Sequence, residues 1–266
     1  SVGETQVREA AKPITAADHW ILDKLRTSQE KIMQDLDTYR LSEAYESLYH
    51  FVWDDVADWY IEASKASPNK PLLQFLLEAI LTLAHPFAPF VTETIWQTLA
   101  WEPDTLLATR TFLTIPKADK DRVAAFNDIQ AIVGEVRFII SALKVAGITL
   151  YYTDVPFLRD NAELLTRLAR LQAVTEVESG SGMYLTSTTY TCWLDIDSST
   201  AKAYLKELDA QKTAQEALIK RLEDRLANKK YVEHAPKAVV NQTKTQLAEA
   251  KAQVDKLWNE YQRFNQ

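Results

Sequence analysis

The last quarter of the chain constrains the fold most, because its apolar residues recur at alternating steps of three and four along two long segments. In the first segment this spacing selects Leu205, Leu208, Lys212, Gln215, Ile219, Leu222 and Leu226. In the second it selects Val240, Thr243, Leu247, Ala250, Val254, Leu257, Tyr261 and Phe264. Such alternation is typical of the seam of a coiled coil. The connecting segment 228–236 is so short that the second helix must pack beside the first. We therefore predict an antiparallel coiled-coil hairpin over 201–266.

The predicted hairpin also differs in charge from the rest of the chain. The whole sequence has 30 Lys and Arg against 37 Asp and Glu, a net charge of −7. Residues 201–266 carry 13 basic and 9 acidic side chains, a net of +4, which leaves −11 for the remainder. A basic arm on an anionic body is the asymmetry expected of a part that contacts nucleic acid. Coiled coils are also rich in Lys and Glu for solubility, so charge alone leaves both interpretations open.

Composition narrows the class of protein. A single cysteine, Cys192, excludes a disulfide framework and a multi-cysteine zinc site within this chain, and it fits a reducing, cytoplasmic setting. No apolar run approaches the roughly 20 residues that a membrane helix needs, so no membrane association is expected. Only 5 glycines and many periodic segments predict a mainly α-helical fold.

Four amphipathic segments follow a flexible N-terminal stretch, 1–14. Thr15 is placed to cap the first helix with Asp18 at its third position. The second helix is predicted over 41–63, the third over 72–84, where His85-Pro86 ends it, and the fourth over 88–99. Short loops between such helices predict antiparallel neighbours, so residues 15–116 are interpreted as a helical bundle.

A different pattern separates the bundle from the hairpin. A helix is predicted from Asp119 to a stop at Gly147, and another over 160–171. Alternating apolar residues predict strands over 148–152, 173–178, 183–188 and 190–196. Residues 117–200 are therefore interpreted as a small α+β module, which makes the fold class mainly α with this module between the bundle and the hairpin.

The sequence shows no catalytic apparatus. Its histidines are scattered, Cys192 is expected to point inward from a strand, and the glycine motifs that hold phosphates or position a serine nucleophile are missing. We predict no catalytic, cofactor-binding or metal-binding residues in this chain. The aromatic residues of the second helix are spread around its circumference, so some are expected at the surface, where they could stack unpaired RNA bases. The alternative interpretation is that these aromatic residues belong to the bundle core and extend from it to the surface without a binding role.

Four stretches are more specific than their periodicity. A-D-H-W-I-L-D-K-L at 17–25 resembles the A-D-R-W-I-L-S-R-L that opens the anticodon-binding bundle of the class I synthetases for valine, isoleucine and leucine. D-W-Y-I-E-A-S-K at 58–65 is similar to their D-W-Y-I-E-x-x-K, and residues 85–96 are similar to their H-P-F-x-P-F-x-T-E-E-x-W. Residues 226–240 resemble the L-x-N-x-x-F-V-x-x-A-P-x-x-V-V turn of the valyl-tRNA synthetase coiled coil. His19, Thr94 and His234 depart from the family patterns, and His234 weakens the expectation of an electrostatic contact at the turn.

This resemblance implies a C-terminal fragment of a valyl-tRNA synthetase, a cytoplasmic enzyme of protein biosynthesis. The bundle would dock the anticodon arm of tRNA(Val), and the hairpin would contact the outer corner of the tRNA. ATP and Mg²⁺ would be used by the full-length enzyme in upstream catalytic and editing domains, so this chain alone is predicted to be inactive and monomeric. The candidate tRNA-binding residues are Tyr39, Arg40, Lys65, Arg221, Arg225, Lys229, Lys230, Tyr231, Lys237 and Lys244. Tyr231 would stack on a base or simply close the turn.

Two alternatives stay open at this point. The chain could be a non-enzymatic scaffold or oligomerisation module that pairs through its coiled coil, although Lys212 and Gln215 in the seam disfavour a tight self-associating zipper. It could also be the corresponding part of an isoleucyl- or leucyl-tRNA synthetase. The isoleucyl enzymes commonly end in a cysteine-rich zinc module, which one cysteine cannot form.

Overall fold

The fold comes from a computed structural model, which describes residues 12–102, 104–179, 182–228, 231 and 236–264. The described chain is mainly helical with one four-stranded sheet, which confirms the predicted fold class. It divides into two compact units. The bundle unit comprises Ser1–Gly134 and Asn161–Arg170, and the hairpin unit comprises Glu135–Asp160 and Leu171–Gln266. The four-part division into 1–14, 15–116, 117–200 and 201–266 stays a prediction, and residues 1–11 of its flexible segment lie outside the described residues.

The bundle unit is built from consecutive helices. Its elements are α1 (Ala16–Asp37), α2 (Leu41–His50), a π-helical segment (Phe51–Tyr60), α3 (Ile61–Ser64), α4 (Lys70–Ala84), α5 (Pro89–Leu99) and a 3-10 turn (Leu107–Thr109). The next helix, α6 (Lys120–Leu143), has residues in both units. As predicted, α4 ends before His85-Pro86. The fourth predicted helix, α5, begins one residue after its predicted start, with Pro89 at the first position.

The predicted second helix is uninterrupted, but its middle ten residues are wound as a π-helix. Four of its buried residues, Ala44, Leu48, Val56 and Tyr60, are separated by multiples of four, and Phe51 and Ala63 are buried beside this stripe. At 3.6 residues per turn, such a stripe rotates away from the core, by about 40° for each step of four. The wider winding of the π-helical segment, which bonds i to i+5, brings the stripe back toward the core. Helical periodicity predicted the helix but not this change of winding.

Asp18 joins three parts of the bundle unit. Thr15 caps α1 as predicted, since its Oγ1 accepts the backbone N–H of Asp18 at 3.1 Å. The buried Asp18 carboxylate in turn accepts the backbone N–H groups of Ile14 and Thr15 at 2.9 and 3.3 Å. The Tyr60 hydroxyl and the Asn69 amide also donate to it, each at 2.9 Å. Burial, followed by the Asp18 charge, raises the pKa of Tyr60 far above its usual value, so this phenol stays a donor.

His19 departs from the arginine of the pattern A-D-R-W-I-L-S-R-L quoted above, and it has a structural partner here. Its Nδ1 accepts the backbone N–H of Asp119, 3.0 Å away, just before α6 begins. Burial and then the nearby charge of Arg122 lower the pKa of His19, which favours the neutral ring that this acceptor role requires.

The sheet of the hairpin unit has the order β2-β1-β4-β3. Its strands are β1 (Thr149–Tyr152), β2 (Ala173–Glu176), β3 (Met183–Tyr184) and β4 (Cys192–Leu194), of which β1 and β2 are parallel and the other pairs antiparallel. The last two strands are shorter than predicted. Beyond β3 the backbone N–H groups of Thr186 and Ser187 donate to the carboxylate of Glu135 rather than to a neighbouring strand. Burial raises the pKa of Glu135, but these bonds and those of the two hydroxyls outweigh it and lower the pKa overall.

Two helix boundaries differ from the predictions. The helix predicted to stop at Gly147 ends at Leu143, because Lys144 takes a left-handed backbone with φ of 52°. The helix predicted over 160–171 is shorter, α8 (Ala162–Ala169), and a separate short helix, α7 (Pro156–Asp160), precedes it. A residue other than glycine gives little indication in the sequence that its backbone is left-handed. The end of α6 was therefore wrongly predicted at Gly147 rather than before Lys144.

The hairpin consists of α9 (Ser198–Ala227) and α10 (Lys237–Phe264). Their antiparallel arrangement follows from two contacts: Lys212 lies over the ring of Trp258 at 4.5 Å, and Glu223 pairs with Lys251 at 2.7 Å. The predicted seam residues are buried or half-buried in both helices, apart from Phe264, whose side chain lies outside the described ones. The two-helix arm is confirmed, whereas supercoiling of its helices stays a prediction.

Candidate nucleic-acid interface

The described candidate basic residues of the hairpin lie outside the seam, unlike Lys212. Arg221 and Arg225 are one turn apart on α9, Lys237 and Lys244 are two turns apart on α10, and all four are exposed. Each helix thus presents two of the candidate cations to solvent near the turn, and we call each pair a basic stripe. That these side chains contact tRNA stays a prediction. Lys229, Lys230 and His234 lie outside the described residues.

Tyr231 lies at the turn and contacts both arms. Its hydroxyl is 2.9 Å from Oγ1 of Thr243, a buried seam residue of α10. The guanidinium of Arg225, on α9, lies 4.8 Å from the centre of its ring. Of the two roles considered from the sequence, these contacts favour closure of the hairpin, with the ring only half-buried.

Tyr39 and Arg40 form a rigid projection after α1. Tyr39 is 89% exposed and has a left-handed backbone with φ of 58°. Arg40 is anchored beside it, because its Nη2 lies 2.7 Å from the buried carboxylate of Asp35 and its backbone N–H donates to the Asp35 carbonyl at 2.8 Å. A hydrogen bond from Lys31 is the largest of the effects that lower the pKa of Asp35. The ring of Tyr39 is therefore presented to solvent from a fixed backbone.

The aromatic residues of α2 and the π-helical segment divide between core and surface, as predicted. Phe51 and Tyr60 are buried, whereas Tyr45, Tyr49 and Trp53 are each about half exposed. The rings of Tyr49 and Trp53 are nearly parallel, with an angle of 5° and centroids 6.3 Å apart. This exposed face is a second surface on which flat groups could stack.

Lys65 lies just after α3 and pairs with Glu62. The sequence did not predict what surrounds this pair, because the neighbouring cations come from about 100 residues further along the chain. Arg167 and Arg170, at the end of α8, are close enough to lower the pKa of Glu62, after the larger effect of the Lys65 hydrogen bond. The only sequence signal was a pair of arginines three residues apart on the polar face of a short helix.

The described residues offer little for metal or thiol chemistry. Among them, no three His, Cys, Asp or Glu side chains are grouped as a metal site. Burial, followed by the charge of Glu135, raises the pKa of the Cys192 thiol to about 12, so the thiol stays protonated near neutral pH. None of the helices within the described ranges is long and apolar enough to span a membrane.

Comparison with known proteins decides the family. The model described as "Anticodon-binding domain of tRNA ligase" matches residues 18–150. The model described as "Valyl tRNA synthetase tRNA binding arm" matches residues 195–264, which include both helices of the hairpin. The chain belongs to the valine–tRNA ligase family. The match of the arm favours the valyl family over the isoleucyl and leucyl families. The two matches together confirm the resemblance that the four motifs indicated.

Relatives among the valine–tRNA ligases agree over most of the chain. The enzyme of Nocardia farcinica is 30% identical over 92% of this chain, that of Neisseria meningitidis serogroup A 32% over 90%, and that of Thermotoga maritima 31% over 88%. The chain spans 29%, 28% and 29% of those proteins, respectively, less than a third of their length.

Proposed function

We propose that this chain is the C-terminal, tRNA-binding part of a valine–tRNA ligase. The bundle unit docks the anticodon arm of tRNA(Val), and the hairpin contacts the outer corner of the tRNA. The ATP- and Mg²⁺-dependent joining of valine to tRNA would be performed by catalytic domains upstream in the same polypeptide. Under this proposal the isolated chain is a cytoplasmic monomer that binds tRNA and catalyses no valine-dependent ATP–pyrophosphate exchange.

The observation that supports this proposal is the separate placement of the apolar seam and the basic residues of the hairpin. Its apolar seam is closed within the chain, between α9 and α10. The stripes with Arg221, Arg225, Lys237 and Lys244 remain exposed. Self-association through the coiled coil would need the seam, whereas a phosphate backbone needs only the exposed cations. The arrangement therefore favours tRNA binding over the scaffold alternative.

The test is the affinity of the chain for a tRNA(Val) transcript, measured from 50 to 200 mM salt. We expect the logarithm of the association constant to fall linearly with the logarithm of the salt concentration, with a loss of roughly 10³-fold if about six phosphates are contacted. A transcript for another amino acid is the control for specificity. Binding that is independent of salt, or a stable dimer in sedimentation without tRNA, would contradict the proposal.

Tyr39 is our candidate for stacking on an unpaired base of the anticodon loop. Glycine is favoured at its position because L residues lose roughly 1 kcal/mol in the left-handed conformation. Because the Tyr39 side chain is exposed, no packing in the core offsets this conformational cost. Base stacking needs an accessible aromatic ring, which Tyr39 provides, and backbone strain that core packing does not explain is consistent with a functional position.

Replacing Tyr39 by glycine is expected to move stability and binding in opposite directions. The free energy of unfolding should stay the same or rise by up to about 1 kcal/mol, since the backbone strain is relieved. Affinity for tRNA(Val) should fall about tenfold, within the range of roughly 1–3 kcal/mol for a stacked base. Tyr39→Phe keeps the ring and should retain the affinity. Unchanged binding by Tyr39→Gly would remove Tyr39 from the interface.

A further inference from the structure

The helices α3 and α8 contact each other in the bundle unit. Each has buried apolar residues: Ala63 on α3, and Leu165 and Leu168 on α8. Packing of these faces leaves the polar side of α8 outward, where Arg167 and Arg170 are exposed. Lys65, also exposed, extends α3 toward the same surface.

These three cations all interact electrostatically with one carboxylate. Lys65 bonds directly to Glu62, and the charges of Arg167 and Arg170 act on the same Glu62 group. The cluster of Lys65, Arg167, Arg170 and Glu62 thus has a net charge of +2. We call it the α3–α8 cluster.

Several other cations of the bundle unit are paired with carboxylates. Lys24 pairs with Asp55 at 3.2 Å, and Arg110 contacts both Glu78 and Glu102. The unit as a whole has 14 Lys and Arg against 21 Asp and Glu, a net charge of −7. A local excess of two positive charges is therefore opposite in sign to the unit that carries it.

We propose that the α3–α8 cluster binds phosphates of the RNA backbone, as a second electrostatic contact in addition to the hairpin. This inference rests on the proposed function, in which the partner is tRNA. The guanidinium groups of Arg167 and Arg170 match phosphate oxygens in pairs, and Lys65 adds a point charge. All four side chains of the cluster belong to the bundle unit.

An RNA backbone fits the surface better than an acidic protein does. Protein interfaces depend on buried aromatic or aliphatic anchors, whereas phosphate contacts need only accessible cations. Ile61 on α3 is only 38% exposed, and the exposed residues that follow Lys65 are Ala66, Ser67 and Pro68, so none of them is an aromatic anchor. A purely structural role is the competing explanation, because cations at helix C-termini also stabilise the helix dipole.

The double variant Arg167→Gln/Arg170→Gln tests the proposal by its effect on binding of a tRNA(Val) transcript. We expect the salt dependence to become less steep by roughly 1.5 in logarithmic slope, and affinity at 50 mM salt to fall at least about tenfold. Arg167→Lys/Arg170→Lys keeps the charges and should retain the slope. Lys24→Gln/Arg26→Gln is the matched control, since it removes two charges that carboxylates already balance. The control should leave the slope unchanged.

Three results would overturn the proposal: an unchanged slope for the glutamine variant, an equal change for the Lys24/Arg26 control, or equally effective competition by polyglutamate. A purely structural role predicts a lower melting temperature with normal tRNA affinity. If the double variant fails to fold, Lys65→Gln provides the same test, with a slope change of roughly 0.7–0.9. Normal binding by these variants, together with weaker binding by variants of the hairpin, would reject this site and leave the proposed function intact. Failure of the wild-type chain to bind tRNA would reject both.

Discussion

Asp18→Ala is expected to lower the free energy of unfolding of the bundle unit by about 3 kcal/mol, the largest effect on stability that we predict for a single residue. The substitution leaves the Tyr60 hydroxyl, the Asn69 amide and two backbone N–H groups without the carboxylate that accepts them. Each buried donor without an acceptor costs roughly 1–3 kcal/mol, partly recovered where water can enter. Urea unfolding followed by circular dichroism and tryptophan fluorescence measures the loss, with Trp20 buried in the same unit.

Asp23→Ala is the matched control for Asp18→Ala. Asp23 is on the same helix, but it is partly exposed and pairs with Arg26 at the surface. Such pairs contribute up to about 1 kcal/mol, so this variant should unfold near the wild-type urea concentration. Thr15→Ala removes one side-chain acceptor and should lie between the two, with a loss of about 1 kcal/mol. Equal unfolding midpoints for Asp18→Ala and Asp23→Ala would show that Asp18 does not join the parts of the bundle unit as described.

The triple variant Arg221→Gln/Lys237→Gln/Lys244→Gln is expected to reduce affinity for tRNA(Val) about 100-fold at 100 mM salt. All three side chains are exposed, so their replacement leaves the seam intact. Loss of three phosphate contacts should also make the salt dependence less steep by about 2 in logarithmic slope. Affinity measured at several salt concentrations separates this electrostatic loss from a loss of specific contacts, which would be similar at every concentration.

The position of the removed charges can be controlled within the same arm. Lys202→Gln/Lys206→Gln/Lys256→Gln removes three exposed charges from the half of the hairpin away from the turn. If tRNA contacts the stripes near the turn, this variant should bind several times more tightly than the first. Equal losses from both variants would show that the arm attracts RNA only through its net charge.

Local chemistry made much of the fold predictable. The capping pair Thr15 and Asp18 fixed the start of α1, and the three-four spacing identified the seam of the hairpin from Leu205 to Tyr261. These features depend on residues close together in sequence. The shortened strands were not predictable, because Glu135 captures the backbone of Thr186 and Ser187 across about 50 residues of chain.

The candidate sites show the same limit. The exposed stripes of Arg221 and Lys244 could be predicted, since a residue outside the seam of a two-helix arm faces solvent. Grouping Lys65 with Arg167 and Arg170 required knowledge of where α8 packs, which depends on tertiary contacts. The left-handed backbone of Tyr39 was also hidden, because the sequence has no glycine there to indicate it.

The contacts between the arms of the hairpin also limit how it can move. Lys212 with Trp258, Glu223 with Lys251 and Tyr231 with Thr243 lie at successive levels along α9 and α10. Sliding one helix past the other by a single turn, about 5.4 Å, would separate all three pairs at once. The two helices should therefore pivot or bend together as one rod, and the length of the hairpin from its base to its turn should stay constant. A tRNA held near its turn would be kept at a set distance from the sheet where the rod begins.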